Sequence, residues 1–198
     1  PTVAVGGPAT GVVTASEALA LEASASSPCQ GVTAALTYEW SATDVDSGAA
    51  VALALSARQL QMRALYLPPF ALGADRTYEL AATVSVVGDA ALTTTGRYTV
   101  RVQPLAMAAR IEGGDERDQA ADSPLHLDAS PSFDPNLPPT AAPPLHCTWR
   151  CLAATDAPCV TAAGAALSLP GNASVPLQPG VLAPGAYVFT ANVPAGSH

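Results

Sequence analysis

The four cysteines, at positions 29, 147, 151 and 159, are the residues whose chemistry is easiest to infer from the sequence. Cys151 and Cys159 enclose the short segment LAATDAP, an arrangement typical of a local disulfide bond. A zinc site is disfavoured because paired CxxC motifs are missing and because neighbours on a strand, such as His146 and Cys147, point to opposite faces. We therefore expect a Cys151–Cys159 disulfide and an oxidising compartment. For Cys147 two states remain open: a buried free thiol, or a bond to Cys29.

The acidic residues offer one candidate ligand cluster for calcium. Asp115, Asp128 and Asp134 belong to it, together with Asp118 and Asp122. Calcium binds six to eight oxygen atoms, yet the segment does not match a calcium loop such as DxDxDG. Asp134 precedes a proline and is more simply interpreted as a turn residue whose carboxylate caps backbone N–H groups. We therefore expect turns rather than a metal site, and no cofactor.

Residues for catalysis are not arranged in any recognisable motif. The sequence contains no GxSxG, HExxH, P-loop or GxGxxG pattern. Of the histidines, His126 and His146 are predicted to lie on strands of different sheets, and His198 is terminal. The net charge of −8 argues against a nucleic-acid partner, which requires a basic surface. We expect a protein that is not an enzyme and does not bind nucleic acid.

The sequence contains an internal repeat. LALEASAS, which begins at Leu19, aligns with LHLDASPS 106 residues later. Trp40 and Trp149 end the aligned segments LTYEW and LHCTW and are 109 residues apart. Near-equal offsets in separate segments are difficult to obtain by chance, so we predict two tandem modules, residues 1–104 and 105–198.

Each module is predicted to be all-β, with an immunoglobulin-like sandwich of two sheets. Apolar residues alternate with a second, more polar set in the repeated segments, turn residues separate short strands, and each module has one central tryptophan. Trp40 and Trp149 are expected to anchor the two cores. Tyr78 and Tyr187 each follow a glycine-containing turn and are predicted to form tyrosine corners, in which the hydroxyl bonds a backbone group.

Three segments depart from this regular pattern. The stretch from Ala49 to Ala64 is rich in Ala and Leu, and we favour a strand over a helix there. The proline-rich residues 135–144 are predicted to form an extended surface loop. The second module stops after its Tyr187–Val193 strand, without a counterpart of the Arg97–Val102 strand. We therefore expect that this module is truncated at its last strand.

One modification site is predicted. Asn172 begins the sequon Asn-Ala-Ser and directly follows Pro170 and Gly171. Such a turn is expected to be exposed, so Asn172 is predicted to carry a glycan if the protein passes through a secretory pathway.

Part of the second module is similar to a known family. The segments IEGGD, LHLDASPSFDP and CTWRC follow one another within residues 111–159, which end at Cys159. This pattern resembles the receptor-for-egg-jelly (REJ) region, whose repeats are similar to the PKD-type immunoglobulin-like domains of the polycystins. The first module keeps only the ASAS and YEW parts and has Ala42 where Cys151 stands in the second.

The resemblance implies extracellular display on a large membrane-anchored protein, of which this chain is a fragment, at the plasma membrane or on a cilium. It implies a structural or adhesive role and no catalysis. The expected partners are proteins at the cell surface, such as a polycystin-type channel or an extracellular filament. An alternative is a carbohydrate-binding or cell-wall-associated accessory module, which an exposed row of aromatic side chains would favour.

Overall fold

The computed structural model describes residues 2–8, 11–26, 35–140 and 146–194. In this part of the chain the structure is all-β, with twelve strands and one helix of four residues. The chain divides into two compact units. Unit 1 consists of Pro1–Leu105 with Asn136–Pro138, and unit 2 of Ala106–Pro135 with Pro139–His198.

Unit 1 contains two sheets. Its elements are β1 (Thr2–Gly6), β2 (Val12–Thr14), β3 (Leu19–Ser26), β4 (Leu36–Asp44), β5 (Ala50–Val51), α1 (Ala57–Leu60), β6 (Ala64–Leu67), β7 (Arg76–Val86) and β8 (Asp89–Gln103). One sheet has the order β1-β3-β6 and the other the order β2-β8-β7-β4-β5. Neighbouring strands are antiparallel, except that β2 runs parallel to β8.

The two sheets of unit 1 enclose a single core. On β3, Leu19 and Leu21 are buried and alternate with exposed residues, as the period of two predicts. They belong to the same cluster as Trp40 on β4, Leu80 on β7 and Val100 on β8. Because the cluster draws side chains from both sheets, the sheets pack face to face and the apolar face of each is removed from water.

The segment from Ala49 to Ala64 differs from its predicted strand. Only β5 and the start of β6 are extended, and α1 forms between them. The Ser56 hydroxyl accepts a bond from the Gln59 N–H, while the Gln59 side-chain oxygen accepts one from the Ser56 N–H at 2.9 Å. The strand prediction was wrong here because this capping box, followed by good helix formers, stabilises one helical turn.

Unit 2 contains two smaller sheets. Its strands are β9 (Leu125–Asp128), β10 (Thr148–Ala153), β11 (Ser174–Leu177) and β12 (Tyr187–Asn192). β9 pairs with β11 and β10 pairs with β12, both antiparallel. Leu127, Val175 and Leu177 form the buried cluster, and Trp149 and Phe189 pack against it.

The strands of unit 2 repeat the pairing of unit 1 in register. Leu19 on β3 faces Leu67 on β6, and Leu125 on β9 faces Leu177 on β11. The turn after each of these pairs also takes the same backbone form, since Phe70 has a φ of 62° and Gly180 a φ of 71°. The internal repeat of the sequence is therefore a repeat of structure.

The other sheet shows the same correspondence. Trp40 on β4 faces Ala82 on β7, and Trp149 on β10 faces Ala191 on β12. Both alanines lie 109 residues apart, like the tryptophans. A one-residue slip would exchange the two faces of a strand, so an equal register in both units preserves the same inward-facing positions.

The proline-rich loop is described as far as residue 140. Asn136 is buried rather than on the surface: its side-chain oxygen accepts a bond from the Leu105 N–H at 2.8 Å, and its side-chain nitrogen donates to the Leu105 carbonyl at 2.7 Å. The loop is thus fixed by a side chain that mimics a backbone pair. Its residues 141–144 lie outside the described part of the chain.

Candidate functional site

A disulfide bond joins the predicted pair in unit 2. Cys151 on β10 is bonded to Cys159, with their Cα atoms 5.5 Å apart. The intervening loop turns tightly: the Asp156 N–H donates to the Ala153 carbonyl at 2.9 Å, and Asp156 has a φ of 60°. Both cysteines are buried. Their bond links β10 to the loop that follows it.

The third cysteine of unit 2 is a free thiol. Cys147, just before β10, is completely buried, and burial raises the pKa of its thiol. A protonated, buried thiol is neither a nucleophile nor a metal ligand, so its role is packing. Its alternative partner Cys29 lies outside the described residues.

The two tryptophans make the same polar contact. The Trp40 indole N–H donates to the Met62 carbonyl at 2.9 Å, and the Trp149 indole N–H donates to the Asn172 carbonyl at 2.8 Å. Met62 lies just before β6, and Asn172 lies just before β11. The bond ties the two sheets of each unit together. Trp40 is buried, whereas Trp149 is half-buried.

The two tyrosines bond equivalent backbone groups. The Tyr78 hydroxyl accepts from the Gly73 N–H at 3.0 Å and donates to the Gly73 carbonyl at 3.3 Å. The Tyr187 hydroxyl donates to the Ala183 carbonyl at 2.8 Å. Burial raises the pKa of Tyr78, so its hydroxyl stays protonated and able to donate. These bonds fix the turn that leads into β7 or β12.

An ion pair at the end of β4 was not predicted from the sequence. The Asp44 carboxylate is buried and accepts from Arg76 at 2.8 Å and from the Asp46 and Ser47 N–H groups at 3.0 Å each. The Ser47 backbone bond and the Arg76 guanidinium lower the pKa of Asp44. The available signal was the segment DVDSG, because an Asp just before a polar turn with glycine is typical of such local caps. In unit 2 the repeat places Ala153 at the same register position.

The three calcium candidates lie on separate local structures, with Asp128 at the end of β9. Asp128 accepts from the Ser130 N–H at 2.8 Å, which lowers the pKa of Asp128, whereas Asp134 is buried and Asp115 is exposed. Among the residues that the structure describes, no group of three His, Cys, Asp or Glu side chains is placed to hold a metal ion.

The LDASPSFDP segment binds the chain that precedes β9 through the Ser132 hydroxyl and through backbone groups. The Ser132 hydroxyl accepts from the Arg110 N–H at 2.9 Å and donates to the Arg110 carbonyl at 3.1 Å. The Glu112 N–H donates to the Asp128 carbonyl at 2.7 Å. With the Ala108–Phe133 backbone pair, these bonds hold residues 108–112 alongside residues 128–133, which begin at the end of β9.

The two described histidines, His126 and His146, lie at strands of different sheets. His126 lies on β9, where its Nε2 is 3.0 Å from the Ser174 hydroxyl on an exposed face. His146 precedes β10 and is exposed, and His198 lies outside the described residues. The predicted glycosylation site, Asn172, is exposed in the turn before β11.

A cleft of about 580 Å³ opens on unit 2. It is bounded by the polypeptide that precedes β9, by β9 and β11, and by the first half of β12 with the turn before it. The side chains that mark these walls are Ile111, Leu125, Leu177, Leu182, Tyr187 and Phe189.

The fold and these contacts define an all-β chain with a repeated scaffold and a local disulfide. The family model described as "REJ domain" matches residues 21–198, and the chain belongs to the REJ domain family. It is 36% identical to human Polycystin-1 over 109 residues. That alignment covers 54% of this chain and 2% of the human protein's length. No helix in the described part of the chain is long and apolar enough to cross a membrane.

Proposed function

We propose that this chain is an extracellular structural and adhesive part of a large polycystin-related surface protein. The observation that carries the proposal is the REJ family match over residues 21–198, to which the similarity to Polycystin-1 adds. Its role is to hold shape and to present surface to protein or matrix partners, without turnover of a substrate. The plasma membrane and the cilium are the proposed locations.

Within this proposal both units are immunoglobulin-like modules of PKD type, with residues 1–104 and 105–198 as the domains. The face-to-face sheets of unit 1, the tryptophan between them and the tyrosine bonded to the preceding turn support this assignment. The equal strand register supports it for unit 2. Modules of this kind place partners on exposed loops and strand edges.

The disulfide and the exposed sequon support an oxidising compartment. A bond between Cys151 and Cys159 persists where thiols are not kept reduced, as outside the cell. Asn172 is exposed, and it accepts the Trp149 hydrogen bond through its backbone carbonyl. A glycan can therefore be attached without disturbing that contact.

The chemistry of the described side chains supports a role without catalysis. Catalysis requires a nucleophile, an acid or a metal held beside a partner group in a cleft. Here the buried thiol of Cys147 has a raised pKa, and the carboxylates of Asp44 and Asp128 are engaged in local caps.

The carbohydrate-binding alternative finds no support in the exposed aromatic residues. Tyr66 in unit 1 is 58% exposed and Phe133 in unit 2 is 43% exposed. The Arg110 guanidinium stacks over the Phe133 ring at 5.4 Å from its centroid, so this face is already occupied. Neither unit presents a row of such side chains among the described residues.

The proposal is tested by affinity capture of proteins from cell-surface membranes, with the chain as bait. We expect recovery of a membrane channel or a filamentous surface protein. The control is Trp149→Ala, which is expected to unfold unit 2 and so to abolish any capture that unit 2 performs. Hydrolysis of a glycan, ester or peptide by the purified chain, abolished by one polar substitution, would contradict the proposal.

A further inference from the structure

The outer face of the β10-β12 sheet in unit 2 carries a row of three apolar side chains. Val188 on β12 lies opposite Leu152 on β10, and Leu152 pairs along its other edge with Pro158. Residues that lie directly opposite one another project to the same face, so these three form one apolar row. Val188 is 60% exposed, Pro158 is exposed and Leu152 is half-buried. Val160, two residues after Pro158, is 51% exposed and adjoins the row.

The matching positions of unit 1 are polar. The residues 109 positions before Val188 and Leu152 are Glu79 on β7 and Thr43 on β4. They face each other across the strands in the same way, and Glu79 forms an ion pair with Arg97 on β8. The repeated fold therefore does not require apolar residues at these positions. An apolar row that the fold does not need and that water contacts indicates a surface for a partner.

The disulfide bond fixes the two segments that carry most of the row. Cys151 and Cys159 alternate with the exposed residues of their segments and are themselves buried, so they lie on the inner face. Their bond, together with the Cys159 N–H that donates to the Cys151 carbonyl at 3.3 Å, holds residues 158–160 beside β10. A surface that is fixed before a partner arrives loses less conformational entropy on binding.

A cation without a partner lies on one side of the row. Arg150 precedes Leu152 by two residues on β10 and is exposed. Unit 2 contains three arginines. Arg110 stacks over an aromatic ring and Arg117 donates to backbone carbonyls, whereas Arg150 has no ion pair or hydrogen bond among the residues that the structure describes. Its guanidinium is therefore available to a carboxylate from outside the chain.

A carboxylate lies on the other side of the row. Asp156 is exposed in the turn that joins Leu152 to Pro158, and in the described part of the chain its carboxylate has no cation beside it. A half-turn about the apolar row leaves the row in place and exchanges its two sides. It brings Arg150 of each copy to the Asp156 turn of the other, which makes the face self-complementary.

We propose that this face binds the same face of a second copy of the chain. The apolar row of one copy packs on that of the other, the two β10 strands cross antiparallel, and Arg150 and Asp156 form two ion pairs. The chain carries a net charge of −8, so copies repel one another unless charges are matched across the contact. The ion pairs supply that match and fix the orientation.

Contact between copies is a specific form of the proposed adhesive role, and it rests on that role. The row is short, so a single contact is weak. Many copies displayed side by side on a surface would bind through such contacts with much higher avidity.

Sedimentation equilibrium of the purified chain tests the contact. The unsubstituted chain should form dimers with a dissociation constant of about 1 mM or lower. Arg150→Glu and Asp156→Arg should each raise this constant at least about tenfold, because each places like charges together twice in the dimer. An equimolar mixture of the two variants should restore the affinity, since both pairs of the heterodimer are then complementary. A variant that had merely unfolded could not be rescued in this way.

Arg58→Glu is the matched control. It makes the same change of charge at an exposed residue of unit 1, and the dissociation constant should stay within about twofold because salt screens distant charges. Val188→Thr tests the apolar row. It keeps a β-branched side chain on β12 but replaces a methyl group by a hydroxyl, and should raise the dissociation constant about threefold or more.

Four results would overturn the proposal. They are a chain that stays monomeric up to about 1 mM, association that neither charge reversal weakens, a mixture that fails to restore it, and equal weakening by Arg58→Glu. Because self-association is measured on the purified chain without membranes, its failure is distinguishable from a failure of the membrane capture that tests the proposed function.

Discussion

Units 1 and 2 share four central strands and differ in what surrounds them. In unit 1, β1, β2 and β8 flank the shared strands, and β8 contributes two completely buried valines. In unit 2, residues 108–112 bond to residues 128–133, Pro158 bridges to Leu152 on β10, and a disulfide closes the loop after β10. The shared strands are thus stabilised by additional strands in unit 1 and by a disulfide bond in unit 2. We expect unit 2 to be the less stable unit.

Removing the tryptophan of unit 2 should produce the largest difference in stability between the two units. Trp149→Ala deletes a large apolar side chain and its bond to the Asn172 carbonyl. A loss of about 3–5 kcal/mol is expected, a large share of the stability of a small domain. Circular dichroism during denaturation should show that unit 2 unfolds while unit 1 remains folded. Loss of both units in one transition would mean that they share one core.

Removing the disulfide should have the next largest effect. Substituting Cys151 and Cys159 together by serine releases a short loop and should lower the free energy of unfolding of unit 2 by about 2–3 kcal/mol. Denaturant titration measures this loss, and unit 1 should not change. Peptide mapping of the unreduced protein should recover both cysteines in one cross-linked species. Free alkylation of both would contradict the structure and the inferred compartment.

The Asp44–Arg76 ion pair should make unit 1 sensitive to acid. The pKa of Asp44 is lowered in the folded state from its ordinary value of 3.8. The unfolded chain therefore takes up the proton more readily, and the stabilisation is present above pH 3.8 and lost as the pH falls through the folded pKa. Thermal unfolding of Asp44→Asn should show a weaker acid dependence.

The matched control for that variant is Asp46→Asn, which changes the same charge on an exposed neighbouring residue. Its acid dependence should follow that of the unsubstituted chain. An identical response of the two variants would show that the Asp44 carboxylate, with its bonds to Ser47 and Arg76, does not cause the acid dependence of unit 1.

The smallest effect is expected at Asn172. Asn172→Gln removes the sequon but keeps the backbone carbonyl that accepts the Trp149 bond. The free energy of unfolding should change by less than about 0.5 kcal/mol, as for most surface substitutions. Protein from its native source should lose the mass of one glycan. An Asn172 that is unmodified in that source would contradict the secretory assignment.

The sequence predicted the repeated elements well because each depends on a local pattern. Alternation predicted β3 and β9, and the leucine, tryptophan and tyrosine positions recur at nearly constant offsets. The helix α1 was missed because a four-residue turn has no periodicity, although Ser56 and Gln59 carry its capping signal. The left-handed Phe70 was unexpected in isolation, yet its counterpart Gly180 indicates that backbone form.

Other features depend on contacts between distant segments and could not be read from local patterns. The burial of Asn136 results from its bonds to Leu105, far away in sequence. The Trp149 acceptor is a backbone carbonyl, so no residue type indicates it. The cleft of unit 2 is lined by segments that are far apart in sequence, so no local pattern indicates it.

The two tryptophans test most directly whether the units fold separately, since each unit contains one of them. Trp149→Phe leaves Trp40 as the reporter of unit 1, and Trp40→Phe leaves Trp149 as the reporter of unit 2. Fluorescence of each variant is followed during denaturant unfolding, with and without reduction of the disulfide. We expect two separate transitions, with unit 2 unfolding at the lower denaturant concentration and only the unit 2 transition shifted by reduction. Coincident transitions that shift together would contradict two repeats that fold as separate modules.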